Sequence, residues 1–203
     1  MFDFKKLHPT DISDNMLDTF TRYQATNKVL VNESGNLVEK EDRFEDDWLF
    51  NRKREIVIHF NYVLNHGGAV IIVTRETSVV GFAVIEPGKF GHKFRYRELS
   101  YIHVSSELRG NGIGHELFKK MLEVTKELGA EKLYIGAHPS IETQRFYSKM
   151  GCELGEFNVD GTINNGEAEF SAGIENDFSV GSIGLGEGFP EIKDACLDET
   201  CNY

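Results

Sequence analysis

A chain of 203 residues is long enough to bury a core and about the size of one domain. At 40% hydrophobic and 27% charged its composition is that of an ordinary soluble globular protein, and no apolar run approaches the roughly 20 residues of a membrane span. The net charge of −11 lies entirely in residues 153–203, which carry 12 acidic side chains against Lys193, and this opposes non-specific nucleic-acid binding by repelling phosphates.

In chain order, Thr10 to Asp14 offers helix caps, and Met16, Leu17, Phe20 and Tyr23 then share one helical face over Asn15 to Tyr23. Lys28 to Val31 is a short apolar run before the turn cluster Glu33-Ser34-Gly35-Asn36. From Glu45 to Asn65 the apolar spacing predicts a helix, with Glu45, Asp46 and Asp47 in its first turn, where the macrodipole favours anions, and Gly67-Gly68 at its end. A substrate role for the acidic triplet is the alternative. Ala69 to Thr74 reads as a buried strand, with Val79 to Glu86 as its hairpin partner.

Phe94 to Val104 is a longer strand. A glycine loop follows, then an amphipathic helix from about Gly112 to Leu128 with Ile113, Leu117, Met121, Val124 and Leu128 as its stripe. Lys132 to Ala137 is another strand, Ser140 caps a helix from Ile141 to Met150, and Cys152 to Phe157 is a final core strand. Residues 158–190 show no sustained period, and an edge strand returns near 191–197. The expected architecture is one mixed α/β domain over residues 1–157, followed by an acidic, Gly-rich segment over 158–203. That segment is either solvated and partly disordered or an acidic wall facing a cationic substrate.

Three cysteines without CxxC spacing point to a reducing cytoplasm and no disulfide framework. Seven scattered histidines predict no metal site. The N-terminus MFDFKKLHPTD lacks the apolar region of a signal peptide.

The chemistry concentrates in Arg109-Gly110-Asn111-Gly112-Ile113-Gly114. A strand running into a helix N-terminus leaves backbone N–H groups pointing outward as an anion nest. Glycines let that backbone approach a pyrophosphate, and Arg109 adds a guanidinium. A P-loop needs Gly-Lys-Ser/Thr, whereas Ile113-Gly114-His115 stands here. A dinucleotide fingerprint needs GxGxxG and an acid ending the next strand, whereas the spacing is GxGxG and that strand ends Gly136-Ala137-His138.

Arg109-x-x-Gly112-x-Gly114, within IHVSSELRGNGIGHELFKKML, resembles the acetyl-CoA pyrophosphate loop of the GNAT superfamily of N-acetyltransferases. SIETQRFYSKMG, Ser140 to Gly151, is similar to that family's second CoA-contacting helix, and the match is best over 69–152. The longer run HPSIETQRFYSKMGCE resembles a group of uncharacterised bacterial members. The resemblance implies an α/β GNAT fold with a mixed, mostly antiparallel sheet flanked by helices. It implies acetyl-CoA as co-substrate. Ile102, His103 and Val104 would pair with the pantetheine arm, and main-chain N–H groups from Arg109, Gly110, Asn111, Gly112, Ile113 and Gly114 would hold the pyrophosphate. Tyr147 would serve as general acid toward the thiolate as well as touching the cofactor. Ser140 stands where the family often has Asn and reaches less far.

Transfer to an amine by direct attack needs a base, an oxyanion donor and an acid, but no enzyme nucleophile. Glu98 is the candidate base. Regular strand alternation puts it on the face of Ser100, Ile102 and Val104, with His103 on the other face; a bulge would upset that parity. Some family members carry a glutamate at the matching place. His103, His138 and a water chain are the rivals. The reading is an N-acetyltransferase of a small-molecule amine, a cationic one if the acidic residues face it, in a homodimer of the kind common for such folds. A non-catalytic CoA-binding module and an acyltransferase using another acyl-CoA are the alternatives.

Overall fold

The computed structural model describes residues 1–33, 36–90, 95–136, 140–154 and 180–184. The strands are β1 (Asp3–Lys6), β2 (Tyr23–Glu33), β3 (Asn36–Asp47), β4 (Ala69–Arg75), β5 (Ser78–Ile85), β6 (Tyr96–Val104), β7 (Lys132–Gly136), β8 (Glu153–Leu154) and β9 (Val180–Gly184). The helices are α1 (Phe50–Asn65), α2 (Ile113–Glu127) and α3 (Ile141–Lys149). Among the described residues one sheet runs β1-β4-β5-β6-β7-β9-β8, and β2 and β3 form a separate hairpin. β6 and β7 run parallel, and the other pairs are antiparallel. None of the described helices is long and apolar enough to cross a membrane.

The sheet is buried on both faces, so β4 and β5 read as continuous apolar runs, not as alternating ones. On one face Ile56, Val57, Phe60 and Val63 of α1 pack on Val70, Ile72, Phe82 and Val84. On the other, Leu117, Phe118 and Met121 of α2 pack on Ile71, Ala83, Ile85, Leu99 and Leu133, with Tyr147 of α3 beside them.

Two N-terminal expectations are corrected. Asn15 to Tyr23 forms turns that lead into β2 at Tyr23, not a helix; Leu17 and Phe20 of the expected face are fully buried, whereas Tyr23 is exposed. The acidic triplet Glu45-Asp46-Asp47 ends β3, and α1 begins only at Phe50. The cause is cross-strand pairing: Gln24 faces Asp46, Ala25 faces Glu45, and the Arg22 guanidinium meets the Asp46 carboxylate at 2.9 Å. This partnership satisfies residues 45–47 in a strand, and local spacing could not reveal it. β9 appears inside the stretch that showed no period and lies between β7 and β8. The predicted edge strand near 191–197 lies outside the described residues.

Candidate active site

The glycine loop and the start of α2 lie where the sequence places them. Gly110 and Gly112 take positive φ angles of 81° and 74°, which glycine adopts without strain. Asn111 pins the loop by donating from Nδ2 to the carbonyls of Leu108 (3.0 Å) and Arg109 (3.3 Å). Gly112 is the N-cap of α2 and supplies no side-chain cap. The first N–H bonded back along the helix is that of Glu116, to the Gly112 carbonyl at 3.1 Å. The preceding N–H groups therefore lack helical partners and carry the positive end of the dipole. A Cβ placed on Gly112 would meet nothing within 4 Å, so the space before the helix end is open. These groups fit the pyrophosphate of a CoA thioester. Arg109 is half-buried beside the loop, with Nε 3.4 Å from the Val104 carbonyl. Burial, with the buried Arg22 nearby, pulls its guanidinium below the ordinary arginine range.

The gap beside this nest follows from the ladder. β6 and β7 pair only through Tyr96–Lys132, Arg97–Leu133 and Glu98–Tyr134, although β6 continues to Val104. Beyond Glu98 the two strands part. Ser105 N–H donates to the Val80 carbonyl at 2.8 Å. Antiparallel alternation then turns the main-chain groups of His103 toward β5 and those of Ile102 and Val104 into the gap. Of the three residues expected along a pantetheine arm, Ile102 and Val104 turn their backbone toward the gap, the Val104 carbonyl already accepting from Arg109 Nε.

Glu98 sits where the gap begins, but on the face opposite to that derived from regular alternation. Leu99 pairs with Ile85 and Tyr101 with Val84, so Ser100 is an extra residue in β6, a bulge. Leu99, Ile102 and Val104 all contact the α2 side, whereas Tyr101 packs on the α1 side. Glu98 therefore shares the α1 face with Tyr101 and His103 and not with Ile102 and Val104. Its cross-strand neighbour is Glu86, whose N–H donates to the Glu98 carbonyl at 2.9 Å. On its other flank is Tyr134. Glu86, Glu98 and Tyr134 make a transverse row over three adjoining chain segments. Burial raises the Glu98 carboxyl above the usual carboxylate range; Glu86 adds to the rise and His59 opposes it. Burial also raises Tyr134, and the Glu98 charge adds to it.

His59 of α1 closes the row, its Nε2 2.7 Å from Glu86 Oε1, and Ser100 Oγ donates to the same oxygen. Sequence reasoning missed Glu86, His59 and Tyr134. Each ends or interrupts an apolar pattern, but only the strand register brings them together. Trp48 stands edge-on to His103 at 4.7 Å and to Tyr101 at 6.3 Å, forming an aromatic wall beyond the carboxylates.

Tyr147 lies across the sheet from Glu98. Its ring packs against Phe118 and Phe146 at 6.2 and 5.2 Å, and burial pushes its phenol well above the usual range. Such a phenol stays protonated and able to donate. Ser140 is fully buried; its hydroxyl accepts from Thr143 N–H (3.3 Å) and from Gln24 Nε2 (3.1 Å). The hydroxyl is engaged in capping α3 and tethering β2, so it reaches no open surface. His138 lies outside the described residues. Cys152 is half-buried, and burial raises its thiol to about 12, which removes it as a nucleophile.

A family model described as "Acetyltransferase (GNAT) family" matches residues 36–152. An "Uncharacterized N-acetyltransferase" of Archaeoglobus fulgidus is 26% identical over 110 residues, covering 52% of this chain and 74% of its own length. Nourseothricin acetyltransferase is similar in structure, with a TM-score of 0.59 at 18% identity over 91% of this chain and 99% of its own. A provisionally named streptothricin acetyltransferase from Bacillus anthracis str. Ames, solved in complex with acetyl coenzyme A, gives 0.59 and 18% over 90% and 97%. At these identities the likeness to the solved structures is one of fold.

Proposed function

The chain belongs to the GNAT acetyltransferase family, and on that premise we propose that it moves the acetyl group of acetyl-CoA to a primary amine, with Glu98 as base and Tyr147 as acid. The observation that carries this reading is the parting of β6 and β7 immediately after Glu98, with the open α2 N-terminus at the far end of the same strand–loop–helix. Bound acetyl-CoA supplies the activated acyl carbon and a thiolate leaving group.

The chain's residues supply the rest. Main-chain N–H groups from Gly110 to Gly114 hold the pyrophosphate, and the outward groups of Ile102 and Val104 fix the pantetheine arm. Glu98 takes a proton from the acceptor ammonium; its raised pKa makes it a better base for that task than an exposed glutamate. A backbone N–H near Val104 offsets the charge that develops on the acyl oxygen. The Tyr147 hydroxyl donates to the thiolate. We take the acceptor to be cationic, because Glu86, Glu98 and the aromatic wall of Trp48 and Tyr101 share one face.

The test is thiol release from acetyl-CoA over a panel of primary amines, with mass spectrometry of the product. Acetylated product that forms at least tenfold more slowly in Glu98→Gln is expected. Saturable acetyl-CoA binding with no product from any amine would replace this reading with that of a CoA-binding module. A product carrying another acyl group only when another acyl-CoA is offered would reassign the donor.

A further inference from the structure

We propose that Glu86 and Glu98 act as one dicarboxylate that shares the proton taken from the acceptor, and that His59 passes this proton to solvent. The inference rests on Glu98 being the base and goes beyond it by adding a sink for the proton that the base collects.

The geometry begins with the bulge. Without the extra residue Ser100, Glu98 would face α2, away from Tyr101 and the α1 side. With it, Glu86 and Glu98 are directly opposed across an antiparallel pair, joined by the 2.9 Å bond from Glu86 N–H to the Glu98 carbonyl. Directly opposed side chains have Cβ atoms about 5 Å apart. The Glu86 charge adds to the cost of ionising the half-buried Glu98, so a proton collected by Glu98 has a second carboxylate beside it to share it. Like charges directly opposite destabilise a sheet, so the pair costs stability where it stands.

The contacts around the pair sort into those that stabilise the anion and those that lead outward. Ser100 Oγ and His59 Nε2 both bond Glu86 Oε1. Arg97 donates from Nη1 to the Glu86 carbonyl at 2.8 Å and to the Gly67 carbonyl at 3.1 Å. Tyr134 faces Glu98 from β7. On α1, Arg52 pairs with Glu55 and reaches the Tyr101 hydroxyl at 3.2 Å, so its charge is engaged one turn and more away from His59. The His59 ring is flanked by Tyr62 and Tyr101 at 6.1 and 5.9 Å. The Glu86 side chain is 18% exposed and the His59 side chain 32% exposed, so accessibility rises along the row toward the histidine.

The proton balance is closed. Glu98 carboxylate takes one proton from the ammonium and leaves a neutral amine. The carboxyl gives it to the Glu86 carboxylate, which restores the Glu98 anion. Glu86 gives it to Nε2 of His59, the imidazolium releases a proton to water from Nδ1, and exchange of the ring protons with water restores the Nδ1–H tautomer for the next turnover. One proton leaves for each acceptor consumed, and no other reactant is needed.

The experiment compares kcat/KM against pH for wild type, Glu98→Gln, Glu86→Gln and His59→Gln, with and without added imidazole. Unchanged acetyl-CoA binding serves as the folding control. Rate falls as pH drops through the pKa of the base. Removing the Glu86 charge should move that limb to lower pH, and removing His59 should move it to higher pH. His59→Gln should also lose at least tenfold in kcat at low buffer concentration and recover with imidazole. A purely structural role predicts neither the opposed shifts nor the rescue. If Glu98→Gln abolishes the limb while the other two variants keep the wild-type limb and ignore imidazole, the relay is overturned and the base stands. If Glu98→Gln keeps the limb, the base assignment falls and the relay with it.

Discussion

Glu98→Gln should raise thermal stability at neutral pH while slowing turnover. Glu98 is half-buried and opposed to Glu86, and its carboxyl titrates above the usual range because of burial first and Glu86 second. A carboxyl whose folded pKa is raised favours the folded state fully below its unfolded pKa. That advantage is lost as pH rises through the folded pKa, and above it the chain bears the cost of two opposed anions. Relief of a directly opposed like-charge pair is worth up to about 1 kcal/mol. For a domain of this size 1 kcal/mol is about 2–4 °C in Tm. The amide is isosteric and removes the charge at every pH. The assay is Tm by calorimetry at intervals from pH 4 to pH 8 for both proteins. The gain should be present at pH 8 and shrink toward pH 4, where wild-type Glu98 is itself protonated. A gain equal at both ends, or a loss at pH 8, would refute the argument that Glu98 is strained by its neighbour.

Three further outcomes follow from the site. Gly112→Ala places a Cβ on a residue at φ 74°, costing about 1–2 kcal/mol without any clash, so Tm should fall by a few degrees and acetyl-CoA affinity should fall with the distorted nest, read by calorimetry of both. Ser140→Ala removes the α3 N-cap and should cost about 1 kcal/mol, yet leave the acetyl-CoA Kd within about twofold, because the hydroxyl is already engaged by Thr143 and Gln24. Tyr147→Phe keeps the ring packing on Phe118 and Phe146 and should lower kcat about a hundredfold with little change in Tm; an unchanged kcat would remove the phenol from the mechanism.

How far the chain could be read depended on the range of the determining interaction. The α2 stripe and its glycine approach were legible because helix periodicity and positive φ are local properties; Ile113, Leu117, Met121 and Val124 are all buried as their spacing required. The hairpin of β4 and β5 was legible for the same reason. Glu45 to Asp47 misled because acidic residues suit both a helix start and a strand held by Arg22, and the choice rests on a partner 24 residues away. Nothing in the local pattern announces that Ser140 meets Gln24, which is 116 residues distant.

The strand–loop–helix from Arg97 to Gly114 shows the division most clearly. By itself the sequence determined a glycine-led helix start preceded by a strand carrying Glu98, because those features depend only on neighbours along the chain. Tertiary structure alone decided which way Glu98 points. One unpaired residue, Ser100, reverses the parity of the strand behind it, and whether a residue is left unpaired depends on register with β5. The same register opposes Glu86 to Glu98 and brings His59 of α1 to the pair.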